Sequence, residues 1–123
     1  MLTQTVYSDI GSHSCELREW AQLNDYGSCG GGMDIHHIVS RNMLRNNKAA
    51  RKLVDKNPQV FHATICNYHN AQRKCADLAE ARALLLQNRV TLFGLDYMLG
   101  VWHDLAICFK QFPPEWALLT LLK

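Results

Sequence analysis

The sequence predicts an α+β fold, mainly helical, with a helical insertion between two strands and additional helices toward the C-terminus. Three observations carry this reading. Two short runs rich in β-branched residues, "MDIHHIV" and "QVFHATI", stand apart from their surroundings. The segments between and after them lose β-branched residues and gain helix formers. The last third keeps its apolar residues at helical spacing. A chain of 123 residues fits one compact domain with a modest core, so 1–123 reads as a single domain.

Each element has its own local reason. "SCELREWAQLND", residues 14–25, opens on serine and carries a mixed apolar pattern consistent with a helix, closed by "YGSCGGG". "MDIHHIV", residues 33–39, follows as a strand. "RNMLRNNKAARKLVDKN", residues 41–57, reads as one helix stopped before Pro58. Within it Arg41, Arg45, Lys48 and Lys52 recur at intervals of four, three and four, which places all four cations on one helical stripe. "QVFHATI", residues 59–65, is the second strand, and "CNYHNAQRK" opens the next helix. "ADLAEARALLLQNR" is helical by propensity. Met98, Val101, Trp102, Leu105, Cys108, Phe109 and Phe112 keep helical spacing beyond it, and "PPEWALLTLLK" has prolines in the first turn of a final helix. Trp102 and Trp116 read as core. The apolar residues of 76–123 exceed what a small core needs, so this C-terminal helical extension is also expected to form a homodimer interface.

Charge is unevenly distributed. Residues 1–40 set Arg18 against Asp9, Glu16, Glu19, Asp25 and Asp34. Residues 41–75 set Arg41, Arg45, Lys48, Arg51, Lys52, Lys56, Arg73 and Lys74 against Asp55 alone. A basic middle between acidic flanks is the asymmetry expected where a polyanion docks. The most apolar stretch, residues 90–112, is interrupted by Asp96, His103, Asp104 and Lys110 and is too polar for a membrane span. The N-terminus has no basic start or apolar run of a targeting segment. Five cysteines, an odd number without secretory context, point to reduced thiols or metal ligands. A cytoplasmic protein without membrane contact is the expectation.

Two short motifs carry the chemistry. His36 and His37 stand side by side in the first strand. The second strand runs directly into Cys66–Asn67–Tyr68–His69–Asn70, a Cys-x-x-His step of the kind that forms half of a zinc site. Neighbouring strand residues point to opposite faces, so the two histidines suit separate tasks better than joint chelation of one ion.

A strand with "DIHHI", a long connection, a second strand, "CNYHN" and a helix together resemble the HNH nuclease family, with its ββα-metal fold. The resemblance covers residues 27–75 and is similar in its "CNYHN" turn to the phage recombination and junction-resolving endonucleases. It implies a metal-dependent DNA endonuclease that hydrolyses phosphodiester bonds. His37 falls where the family keeps its general base, and His36 and Asn70 fall on the two positions that hold a divalent ion, Mg²⁺ or Mn²⁺. A structural Zn²⁺ is implied on Cys29, Cys66 and His69, completed by Cys15 or Cys75. The family's central Asn position is Phe61 here, and Asn57 is the nearest substitute, ahead of Asn46 and Asn47. Tyr26 stands where a cysteine would pair with Cys29. Arg41, Arg45, Lys48 and Lys52 would follow a phosphate backbone, and Arg73 and Lys74 would hold the cleaved strand. The implied partner is double-stranded or branched DNA, and the implied setting is a phage or mobile element acting in its host. Two alternatives stand beside it: a catalytically inactive, zinc-stabilised DNA-binding module, and a protein-interaction domain in which Cys66 and His69 are incidental.

Overall fold

A computed structural model of the chain describes residues 15–109. The final helix expected over 113–123, with Phe112 and Trp116, lies outside the described residues. Over the described residues the protein is mainly helical with one small antiparallel sheet. A turn that buries Cys15 and Leu17 leads into α1 (Arg18–Leu23), which buries Ala21. After a glycine-bearing loop comes β1 (Met33–His37). Three short helices follow, α2 (Arg41–Leu44), α3 (Lys48–Lys56) and α4 (Pro58–Phe61), and then β2 (His62–Cys66). A π-helical turn (Tyr68–Gln72) and a 3₁₀ turn (Cys75–Asp77) lead to α5 (Ala79–Phe93) and α6 (Leu95–Ile107). β1 and β2 pair from Met33 opposite Cys66 to His37 opposite His62. Among the described residues no helix is long and apolar enough to cross a membrane.

The insertion between the strands is helical, but the single helix expected over 41–57 is broken. Asn46 takes a left-handed conformation, φ +65°, which the short polar asparagine tolerates better than most residues. Asn47 then starts α3 by accepting from the Ala50 N–H at 3.0 Å, and its own amide donates to the Cys108 carbonyl at 2.7 Å. Arg41 on α2 and Arg45 just after its end are therefore set apart from Lys48 and Lys52 on α3. All four are exposed, but on two segments rather than one stripe. The second strand also begins later than expected. Pro58 at the first helical position draws residues 58–61 into α4, and β2 starts at His62.

β2 is the better covered strand: Ala63, Thr64, Ile65 and Cys66 are all buried. The Glu16 N–H donates to the Thr64 carbonyl at 3.0 Å, which draws the chain before α1 alongside β2. Met98, Val101, Trp102 and Leu105, at the spacing read from the sequence, form the buried face of α6. Trp102 meets Phe61 with ring centroids 5.2 Å apart.

One ion pair locks this arrangement. Arg89 of α5 grips both carboxylate oxygens of Glu16 at 2.6 Å, and both side chains are almost wholly buried. The same guanidinium donates to the His62 carbonyl at 2.7 Å, so one side chain ties α5 to β2 and to the segment that carries Cys15. Breaking a buried pair leaves the surviving charge without compensation in a poorly polarisable interior. Glu16→Ala is expected to lower the unfolding free energy by about 3–5 kcal/mol, measured by urea denaturation.

Candidate functional site

β2 ends at Cys66, and the chain turns at once through Tyr68–Gln72 with the wide spacing of a π-helix. The Arg73 N–H reaches the Tyr68 carbonyl at 2.8 Å, five residues back. Such turns are rare and recur at functional sites. This one directs consecutive side chains to two different clusters: His69 goes inward to thiols, and Asn70 goes toward β1.

The inward cluster is Cys15, Cys29, Cys66 and His69, whose ligand atoms all lie within 4.8 Å of one another. Nδ1 of His69 stands 3.1 Å from the Cys66 sulfur, 3.8 Å from that of Cys15 and 3.9 Å from that of Cys29. On a tetrahedral zinc with bonds of about 2.3 Å to sulfur and 2.0 Å to nitrogen, ligands would lie about 3.6 Å apart, so the four groups are already near the required spacing. The imidazole is held for this task. Its Nε2 meets the Gly27 carbonyl at 3.0 Å, and since a carbonyl only accepts, Nε2 carries the proton and Nδ1 offers its lone pair to the thiols. Three cysteines and one histidine could therefore hold a metal such as zinc. Cys75, the other residue weighed for the fourth place, is buried with its thiol donating to the His69 carbonyl; Cys15 takes the position instead.

Crowding shows in the thiols. Burial pushes Cys15 up to about 12, with the neighbouring Cys66 and Cys29 adding to the rise. Cys29 is raised by the same burial and by Cys66. Burial also acts upward on Cys66, but hydrogen bonds from the His69 and Gly30 backbone and from the other two thiols outweigh it and leave Cys66 below the usual thiol range. Cys66 is thus the thiol most ready to meet a cation as thiolate.

The glycines before β1 let the loop approach this turn. Gly31 has φ +73°, and a Cβ placed on it would lie 2.8 Å from the Asn67 Cβ. The Gly30 and Gly32 carbonyls accept from the Tyr68 and Asn67 N–H groups at 3.0 and 2.8 Å. Gly31→Ala is expected to lower stability by about 1–3 kcal/mol through left-handed strain alone, with the contact against Asn67 adding to it, and thermal melts read the loss.

The second cluster lies between β1 and the π-turn. Nδ1 of His36 stands 2.9 Å from Oδ1 of Asn70. The Asp34 carboxylate, two residues earlier on the same strand, accepts from the amides of Asn67 at 3.0 Å and Asn70 at 3.3 Å. His36 is buried, and burial holds its pKa below the usual imidazole value despite the Asn70 contact, so the ring is neutral near pH 7 and fit to ligate. Adjacent donors on an octahedral ion with bonds of about 2.1 Å are about 3.0 Å apart, and the His36–Asn70 pair matches this edge. Ligation through Nδ1 would move the ring proton to Nε2, which is buried and has no other partner among the described residues.

His37 keeps different company. It is half-buried, meets His62 edge-on with ring centroids 5.0 Å apart, and accepts a long contact of 3.4 Å from the Arg41 Nε. Partial burial lowers its pKa, and His62 and Arg41 lower it further. The result is a neutral imidazole at the open end of β1.

No family model matches the chain, and no curated protein or solved structure does.

The other expected residues divide clearly. Arg73 is exposed and lies over the rings of Tyr26 and Tyr68, 5.8 and 6.0 Å from their centroids; Lys74 is exposed in a left-handed conformation. Asn57 does structural work: its amide donates to the Leu53 carbonyl at 2.9 Å and its oxygen accepts from the Tyr97 hydroxyl at 2.8 Å. Three residues went unread in the sequence. Asp34 and Asn67 complete the hydrogen bonding around Asn70, and His62 faces His37 because the register pairs them. Asp34 was signalled by its i, i+2 relation to His36, the spacing that shares a strand face.

Proposed function

We propose that the protein is a metal-dependent DNA endonuclease built on a ββα-metal core over residues 27–75, with Zn²⁺ on Cys15, Cys29, Cys66 and His69 as a structural ion. The observation that carries the reading is the His36–Asn70 donor pair at 2.9 Å on a strand whose next residue is a neutral, half-exposed imidazole. His36 and Asn70 would hold Mg²⁺ or Mn²⁺, and the ion would supply charge relief to the scissile phosphate. His36 and Asn70 are both neutral donors and leave most of the coordination open to phosphate and water. His37 takes the proton of the attacking water. Phosphorus gains the water oxygen and loses the 3′ oxygen, which takes a proton from solvent water, leaving 5′ phosphate and 3′ hydroxyl ends. Arg41, which reaches His37 at 3.4 Å, and the exposed Arg45, Lys48 and Lys52 serve the phosphates on either side of the cut. Affinity of that origin falls steeply with salt.

A second reading, a zinc-stabilised DNA-binding module without cleavage, is favoured by Asn57. Its carboxamide is engaged at both ends and is not available as a central Asn. Supercoiled plasmid, linear duplex and four-way junction DNA incubated with Mg²⁺, Mn²⁺ or chelator separate the two. The nuclease reading expects ion-dependent nicking of at least one substrate. Salt-sensitive retardation with every strand intact would establish the binding module instead.

A further inference from the structure

We propose that Asp34 is the positioning residue of the divalent-ion site, fixing which end of the Asn70 carboxamide faces His36 and supplying the negative charge that the ligands themselves lack. The proposal rests on the reading of His36 and Asn70 as that site. A carboxamide has two ends of nearly equal size and opposite chemistry. Its oxygen can ligate a cation, whereas its amino group cannot. Something must choose between them, and here the choice is visible. An ionised carboxylate only accepts, so the Asp34 Oδ2 at 3.3 Å from the Asn70 nitrogen holds the amino end and turns Oδ1 toward His36.

Asp34 is itself held. Its Oδ2 also accepts from the Asn67 amide at 3.0 Å. Asn67 is pinned by its N–H on the Gly32 carbonyl at 2.8 Å and by the close approach of Gly31 to its Cβ. The chain of restraint therefore runs from the glycine loop through Asn67 and Asp34 to Asn70. Charge gives a second reason. Histidine and asparagine bring no formal charge to a divalent ion, and of the charges that act on His36 the Asp77 carboxylate is opposed by Arg82 and Arg89. Mg²⁺ and Mn²⁺ sites ordinarily include a carboxylate. Asp34 provides one from a neighbouring position without spending a coordination site.

The test is Mn²⁺ affinity of the zinc-loaded full chain, measured by calorimetry and by the electron paramagnetic resonance of free Mn²⁺, with no nucleic acid present. Asp34→Ala is expected to weaken Mn²⁺ about 10- to 100-fold. Asp34→Asn keeps an acceptor for the two amides but loses the charge, and is expected to weaken it by less than Asp34→Ala. Zinc content and the cooperativity of unfolding confirm that each variant is folded. If Asp34→Ala does not fold, Asn67→Ala stands in for it: releasing one restraint on the carboxylate should still weaken Mn²⁺ several-fold. His36→Ala separates the two levels. If it abolishes binding while Asp34→Ala, or Asn67→Ala in its place, binds like the unmodified chain, the role of Asp34 is overturned and the ion site stands. If His36→Ala binds Mn²⁺ like the unmodified chain, the ion site itself is wrong.

Discussion

Cys66→Ser is expected to strip the purified protein of its metal and of its cooperative thermal transition. Elemental analysis should find close to one equivalent of zinc on the unmodified chain and almost none on the variant, and far-UV circular dichroism should show a broad, early melt. The size follows from what the cluster joins. Cys15 stands before α1, Cys29 in the glycine loop, Cys66 at the end of β2 and His69 in the π-turn. One ion there would cross-link four segments. Apparent binding free energies of structural zinc sites are about 10–16 kcal/mol, against about 5–15 kcal/mol for the stability of a whole domain. Losing the ion is therefore comparable with losing the fold. Of the three thiols Cys66 is the most informative to replace, since its sulfur lies nearest the His69 nitrogen and alone is held below the usual thiol range. An unchanged melt after complete removal of metal by chelator would show that side-chain packing alone carries this end of the molecule.

His37→Ala is expected to reduce nicking of supercoiled plasmid by about 10²- to 10⁴-fold, the usual contribution of a positioned general base, with zinc content and thermal midpoint unchanged. The residue is half-buried and belongs to neither metal cluster, so its loss should leave the fold alone. Asn70→Ala should also cut the rate strongly, but with a different signature, since raising Mn²⁺ restores part of the activity only where a ligand has been removed. The pH profile gives an independent check. The base works when deprotonated, so the rate rises with pH. Because burial, His62 and Arg41 all hold His37 below the ordinary imidazole value, the midpoint of the rise should lie below the usual value of about 6.5. A His37→Ala variant that nicks at the unmodified rate would remove this residue from the chemistry.

The sequence disclosed some of this architecture and concealed the rest for physical reasons. Both strands were legible because β-branched residues cluster there, although β2 lost its first three positions to a short helix opened by Pro58. The Cys66–His69 step pointed to a metal by residue type and spacing, whereas Cys29 entered only through the resemblance to the HNH family. The choice of Cys15 over Cys75 depended on the Glu16–Thr64 hydrogen bond and the Arg89 ion pair, both long-range. The break at Asn46 and Asn47 was masked by strong helix formers on either side, although paired asparagines are also turn and cap residues. The π-turn has no compositional mark. His62 could not be linked to His37 without the register, which a helical insertion of uncertain path does not reveal.

The order of the four ligands along the chain has a consequence for biosynthesis. The last of them, His69, follows Cys15 by 54 residues, and a metal held by all four could not be enclosed until His69 has left the ribosome. Until then three thiols and a glycine loop wait as an open, oxidation-prone chain, and the entropy of closing the gaps from Cys15 to Cys29 and from Cys29 to Cys66 has no compensating metal bonds. With zinc on these four residues, folding of the nascent polypeptide would be an abrupt event governed by zinc supply. Cells starved of that ion during translation should accumulate insoluble or degraded product, even though protein already made remains intact.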